Sequence, residues 1–150
     1  MYKFLLSVFL SCTCLSVSFA QTGHIAIEWN EQVLEAIRND FARPTLHARN
    51  LMHSSAIMYD CWAAYDTTSS QQYFLGNTIG DFTIVFDFDN FASNIPANPM
   101  DRIMAQEVAI SYGVYRLIKH RYTNSPQAES TMENIRLQMA HQGLDTLVVS

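Results

Sequence analysis

The feature that most constrains this chain is the run from Arg43 to Asp66, Arg-Pro-Thr-Leu-His-Ala-Arg-Asn-Leu-Met-His-Ser-Ser-Ala-Ile-Met-Tyr-Asp-Cys-Trp-Ala-Ala-Tyr-Asp. Pro44 suits the first position of a helix, where its missing N–H costs nothing and its φ is preset. Neither Pro nor Gly recurs until Gly76, so the spacing predicts a helix of roughly 20 residues, about 30 Å long. Leu46, Leu51, Met52, Met58, Tyr59, Trp62 and Ala63 scatter round most of its circumference. A helix apolar on nearly every side is expected to be buried on nearly every side. Arg49, His53 and Asp60 nevertheless fall within about 40° of one another on the helical wheel. The pattern is a central helix with one ionisable stripe.

The first 20 residues stand apart from the fold. Lys3 gives a positive start, Phe4 to Leu10 an apolar stretch, and Ser18-Phe19-Ala20 a small-x-small cleavage site before Gln21. These are the parts of a secretory signal peptide, with the protein exported to the periplasm or the extracellular space. The apolar run is too short and too broken by Ser, Thr and Cys for a membrane span. Cleavage removes Cys12 and Cys14 and leaves Cys61, which cannot form an intrachain disulfide. The exported protein must then rely on its core. In mid-helix, Cys61 reads as a small buried apolar residue rather than a nucleophile. With Lys3 gone, eight basic residues face fourteen acidic ones, a formal charge of −6. That balance gives no footprint for nucleic acid or for an anionic membrane surface. Hydrophobic residues at 49% against 15% charged ones suffice for a packed core.

Four helices are expected, over roughly 28–42, 44–66, 99–122 and 126–142, making an all-α, incomplete helical bundle. Residues 21–27 read as an extended lead-in. In the first helix Trp29, Val33, Ala36, Ile37 and Phe41 share an arc, opposite Glu31, Glu35, Arg38 and Asn39. Arg43-Pro44 ends it, because the residue before proline leaves the α region. The 67–97 stretch is a loop rich in Ser, Thr, Gln and Gly, with Phe82 to Phe88 suited to a short hairpin arm or to an extended segment laid over the helices. Asp87 and Asp89 lack the twelve-residue pattern of a calcium loop. Asn98-Pro99-Met100-Asp101 is a capped start for the third helix. Its apolar arc takes Ile103, Val108, Val114, Tyr115 and Ile118, its polar arc Arg102, Gln106, Arg116 and His120, and Glu107 falls within the apolar arc. Ser125-Pro126 starts the fourth helix, in which Met132, Ile135 and Met139 are apolar and Gly143 marks the end.

No catalytic, cofactor or metal site follows from spacing. His47 and His53 stand about 120° apart on a helix. His-Glu-x-x-His, Cys-x-x-Cys, Glu-x-x-His, a Gly-x-Ser-x-Gly elbow and a phosphate-cradling glycine loop are all absent from the sequence. What remains is a polar set: Arg49, His53, Asp60 and Glu107. Buried charge is costly unless paired, so these four are expected to form a structural buried network, with Glu107 facing Arg49 or His53.

Several strings resemble bacterial vanadium-dependent haloperoxidase-like proteins of the type 2 phosphatidic acid phosphatase superfamily. They are Trp29-Asn30-Glu31 with Glu35-Ala36-Ile37-Arg38, Arg43 to Leu51, Tyr59 to Asp66, Ala109 to Tyr112 with Tyr115-Arg116-Leu117, and Ser125-Pro126. The likeness covers most of residues 28–145 and implies an all-helical fold. The family's oxyanion motifs, Lys-x6-Arg-Pro, Pro-Ser-Gly-His and Ser-Arg-x5-His, do not occur here; before Arg43-Pro44 the lysine position holds Ala36. The resemblance therefore implies an N-terminal structural segment over 21–150. Its partner would be a catalytic bundle later in the same chain, and a homo-oligomer is also compatible. Vanadate would belong to a full-length relative rather than to these residues. The competing expectation is a free-standing periplasmic or secreted helical module for binding or scaffolding.

Overall fold

A computed structural model describes residues 22–66, 68 and 71–147. The expected signal peptide lies outside the described residues. Among these residues the fold is all-α, with one hairpin of two two-residue strands.

Helix α1 (Thr22–Arg38) buries Ile25, Trp29, Val33 and Ala36, spaced four, four and three residues apart along one helical face. Ile25 extends the stripe by a turn, so the helix starts within the stretch expected as an extended lead-in. It also ends before residue 42. Asn39 N–H still bonds Glu35 O, but Asp40 N–H turns to Ile37 O, and Phe41 is left 57% exposed. Residues 39–43 form a corner in which Arg43 Nη2 donates to both Asp40 carboxylate oxygens, at 2.9 and 2.8 Å. Asn39 ties this corner to the last helix through Thr131 Oγ1 at 3.3 Å.

Helix α2 (Pro44–Ala64) begins at the expected proline. It packs antiparallel to α4 (Pro99–Tyr122), as four contacts show by running in opposite directions along the two chains. Asn50 meets Tyr122, an ideal Cβ on Gly113 would meet Ile57, Cys61 meets Ala109 O, and Gln106 meets Trp62 O. Gln106 is thus buried, not part of a solvated arc. Its side chain donates at 3.0 Å to Trp62 O, which also accepts Tyr65 N–H at 3.2 Å in the last turn of α2. Val108, expected in the apolar arc, is 39% exposed.

Between these helices run β1 (Thr78–Ile79) and β2 (Phe82–Thr83), antiparallel with Thr78 opposite Thr83 and Ile79 opposite Phe82. Gly80 turns the hairpin at φ +62°, a left-handed conformation that suits glycine. A short helix, α3 (Phe88–Ala92), follows. Asp87 caps it by accepting from Asn90 N at 3.0 Å, which gives that carboxylate a structural role. Asn98 caps α4 in the same way, accepting from Met100 N at 2.9 Å.

The last helix, α5 (Ala128–His141), starts two residues beyond Ser125-Pro126, because 125–127 form a turn closed by Ala128 N–H on Ser125 O. It ends in a Schellman motif, with Gly143 at φ +70° and Leu144 N–H on Met139 O at 2.9 Å. Helices α1, α2, α4 and α5 enclose one core, in which Trp29, Val114, Ile118, Tyr122, Ile135 and Met139 are at most 1% exposed. Trp29 keeps its indole N–H satisfied at this depth by donating to Ser111 Oγ at 3.0 Å.

Candidate functional site

The ionisable stripe of α2 is divided by what covers it. The 71–75 segment folds back over the C-terminal half of the stripe and leaves the N-terminal half open. Asp60 is buried, His53 is half-buried and Arg49 is exposed. Helical spacing alone put the three on one face; the covering segment sets their exposure.

Asp60 pairs with backbone rather than with a cation. Its carboxylate accepts the N–H groups of three consecutive residues, Tyr73, Phe74 at 2.7 Å and Leu75 at 3.1 Å. Three N–H donors satisfy a buried carboxylate without an opposite charge. The antiparallel register sets Glu107 level with residues 61–63. That is roughly 20 Å along the axis from Arg49, and well over 10 Å from His53. Glu107 is half-buried, and its carbonyl accepts from Ser111 Oγ at 2.8 Å. The expected pairing of Glu107 with Arg49 or His53 is therefore not what the structure shows, because helix direction was not fixed by the wheel.

His53 instead meets Arg121 from the last turn of α4. Arg121 Nη2 lies 3.3 Å from His53 Nδ1. A guanidinium can only donate, so Nδ1 is the acceptor and the ring proton resides on Nε2. Phe74 packs edge-on against the imidazole, with centroids 6.1 Å apart and planes at 78°. Burial, then Arg121, then Arg49 hold the His53 pKa below its ordinary value. Nothing in the sequence separates Arg121 from its neighbours Lys119 and His120, which share the last turn of α4.

Two other features bear on chemistry. Cys61 donates to Ala109 O at 3.4 Å, and its thiol is pushed up to about 11, mainly by burial and then by Asp60. It is a protonated packing group at neutral pH. An open cleft of about 510 Å³ lies between the end of α2, α3 and the start of α4, lined by Phe88, Phe91, Ile95 and Pro96 with Gln72 and Arg102. Arg102 spans its floor to Pro96 O and Ala97 O at 3.3 and 3.4 Å, so its guanidinium braces the loop. Among the described residues no group of three His, Cys, Asp or Glu could hold a metal ion, and no helix is long and apolar enough to cross a membrane.

Comparison with family models, curated proteins and solved structures returns no match.

Proposed function

We propose that residues 22–147 are a helical framework segment of an exported enzyme resembling the vanadium haloperoxidases and acid phosphatases. In this reading the outer face of α2 packs against a catalytic helical bundle, and the segment alone is inactive. The supporting observation is that outer face. Ala48, Met52, Ser55, Tyr59 and Trp62 recur at alternating spacings of four and three residues, and all five are exposed. Met52, Tyr59 and Trp62 are 46%, 44% and 40% exposed. That spacing is the seam by which helices pack, and no charged residue interrupts it. The expectation that α2 is buried on nearly every side fails on this one face, which is where a second body would sit. Vanadate or phosphate would be held by that bundle.

The test is activity. The purified chain, supplied with vanadate, bromide and peroxide, or with a phosphate monoester, is expected to turn over neither; sustained turnover of either would overturn the reading. Reading the coding sequence beyond Ser150 for an in-frame Pro-Ser-Gly-His is a second check.

A free-standing helical module for binding or scaffolding is the alternative, favoured by the core that the four long helices enclose by themselves. Sedimentation separates the two readings. A framework segment should self-associate through Met52, Tyr59 and Trp62, and Met52→Ser with Trp62→Ser should make it monomeric. A monomeric wild-type chain favours the module.

A further inference from the structure

The geometry points to an anion-binding site on the surface formed by Arg49 and His53 of α2 with Arg121 of α4, suited to a divalent tetrahedral oxyanion such as a phosphate group. This goes beyond the framework reading and does not depend on it.

The chemistry is one-sided. Arg121 places Nη2 3.3 Å from His53 Nδ1, which commits the imidazole to presenting Nε2–H. Arg49 stands one turn before His53 on the same face. Every polar group that the three residues have left is a donor, on two guanidiniums and one ring nitrogen. The chain carries an acidic excess, and Arg38, Arg43 and Arg136 each hold a carboxylate at 2.7 to 2.9 Å. Among the described residues, Arg49 and Arg121 meet no carboxylate within salt-bridge distance. They converge on a histidine instead.

The crowding has an electrostatic consequence. His53 titrates below its ordinary value, with Arg121 and Arg49 both contributing to the depression after burial. An anion between the guanidiniums would cancel that repulsion and let His53 take a proton. Phosphate and sulfate match guanidinium forks bidentately, whereas chloride does not. The site is also held in place: Phe74, whose ring meets His53 edge-on, is fixed through its backbone N–H on Asp60.

The test is a titration of the full purified chain, followed by the ring signals of His53. Sodium sulfate, whose charge is constant between pH 5.5 and 8, and sodium phosphate are each compared with sodium chloride at equal ionic strength. The expected result is a saturable shift with both oxyanions, a rise in the His53 pKa, and tighter sulfate binding at the lower pH. Arg49→Gln and Arg121→Gln should each weaken binding about tenfold or more, with circular dichroism unchanged. Arg136→Gln, which removes a cation elsewhere, should bind as wild type does. Vesicles of neutral lipid doped with an anionic phospholipid identify the source. Co-sedimentation abolished by Arg49→Gln points to a lipid headgroup; saturation by the free ions without co-sedimentation points to a soluble phosphate compound. The proposal is overturned if His53 responds to sulfate and phosphate no more than to chloride, or if both arginine variants bind as tightly as wild type.

Discussion

Asp60 Oδ2 lies 2.7 Å from the backbone nitrogen of Phe74, and through this bond the central helix holds the segment that covers it. The same carboxylate takes the N–H groups of Tyr73 and Leu75. Asp60→Ala would leave three consecutive amides to find water or reorganise. Hydrogen bonds to a charged acceptor contribute about 1.5–3 kcal/mol each when first removed and are not additive within one site. A global loss of about 2–4 kcal/mol is expected. Hydrogen exchange of the 73–75 amides should accelerate more than that of the α4 core. Asp60→Asn, which keeps one acceptor oxygen, should fall between. Equal protection in wild type and Asp60→Ala would show that the three bonds do not hold the segment.

At Gly113, α2 and α4 approach too closely for a side chain. A Cβ there would sit 2.7 Å from Ile57 Cγ2 and 3.3 Å from Cys61 Sγ. Gly113→Ala gains about 1 kcal/mol of helix propensity, but overpacking typically costs about 1–3 kcal/mol. The obstructing methyl is branched at Cβ and cannot rotate clear of the helix, so the clash is expected to win. Gly113→Ala should lower the denaturation midpoint. Combined with Ile57→Ala, it should cost less than the two single effects summed, a coupling that a double-mutant cycle reads directly. Additive effects would place the helices further apart than described.

The framework of four long helices was legible because its signals are local. Pro44 and Asn98-Pro99 are backbone instructions that act within a turn, and the Trp29, Val33 and Ala36 stripe needs only the 3.6-residue period. The missed first turn of α1 was legible too, since Ile25 continues the stripe. Partnership was not. Asp60, His53 and Arg49 share a face on the wheel, but whether a given position is covered depends on a segment more than ten residues away, folding back through backbone N–H groups that have no side-chain signature. The level of Glu107 depends on helix direction and register, which the period of one helix leaves open. Gln106 looks solvated by type and is buried, because its side-chain amide finds a backbone carbonyl, Trp62 O, across the α2–α4 contact.

Cys61 should be slow to modify. Burial pushes its thiol up to about 11 from an ordinary 9.0. Well below both values, two units lower the thiolate fraction about a hundredfold. A disulfide exchange reagent at pH 8 should label Cys61 slowly in the native protein and rapidly in denaturant, and Gly113→Ala should quicken native labelling by loosening its surroundings. Labelling in the native state as fast as for a free thiol would contradict the packing of Cys61 against Ala109.

The two tryptophans report different environments. Trp29 is fully buried with its N–H on Ser111, while Trp62 is 40% exposed. Trp62→Phe should leave blue-shifted emission that acrylamide quenches poorly; Trp29→Phe should leave red-shifted, readily quenched emission. Trp29→Phe also removes the donor to Ser111 and should cost about 1 kcal/mol beyond its packing loss. If the outer face of α2 packs against another body, as proposed, quenching of Trp62 should fall when that body is present, with Trp29 unaffected.

Acid should weaken the fold through His53, and the sign follows from its surroundings. Burial, Arg121 and Arg49 lower its pKa in the folded state from an ordinary 6.5, while Phe74 adds an uncharged ring edge. Above 6.5 the ring is neutral in both states and the contribution is level. As pH falls through 6.5, the unfolded chain takes up a proton that the folded chain resists, so stability declines until the lower folded value is passed. Protonation also places a hydrogen on Nδ1, against Arg121 Nη2. In chloride buffers, His53→Gln should therefore show a shallower fall in Tm between pH 7.5 and 5.5 than wild type. Sulfate, if it binds between the two guanidiniums, should flatten the wild-type profile toward that of the variant. Parallel profiles for wild type and His53→Gln in chloride would mean that the arginines do not act on His53 as the geometry requires.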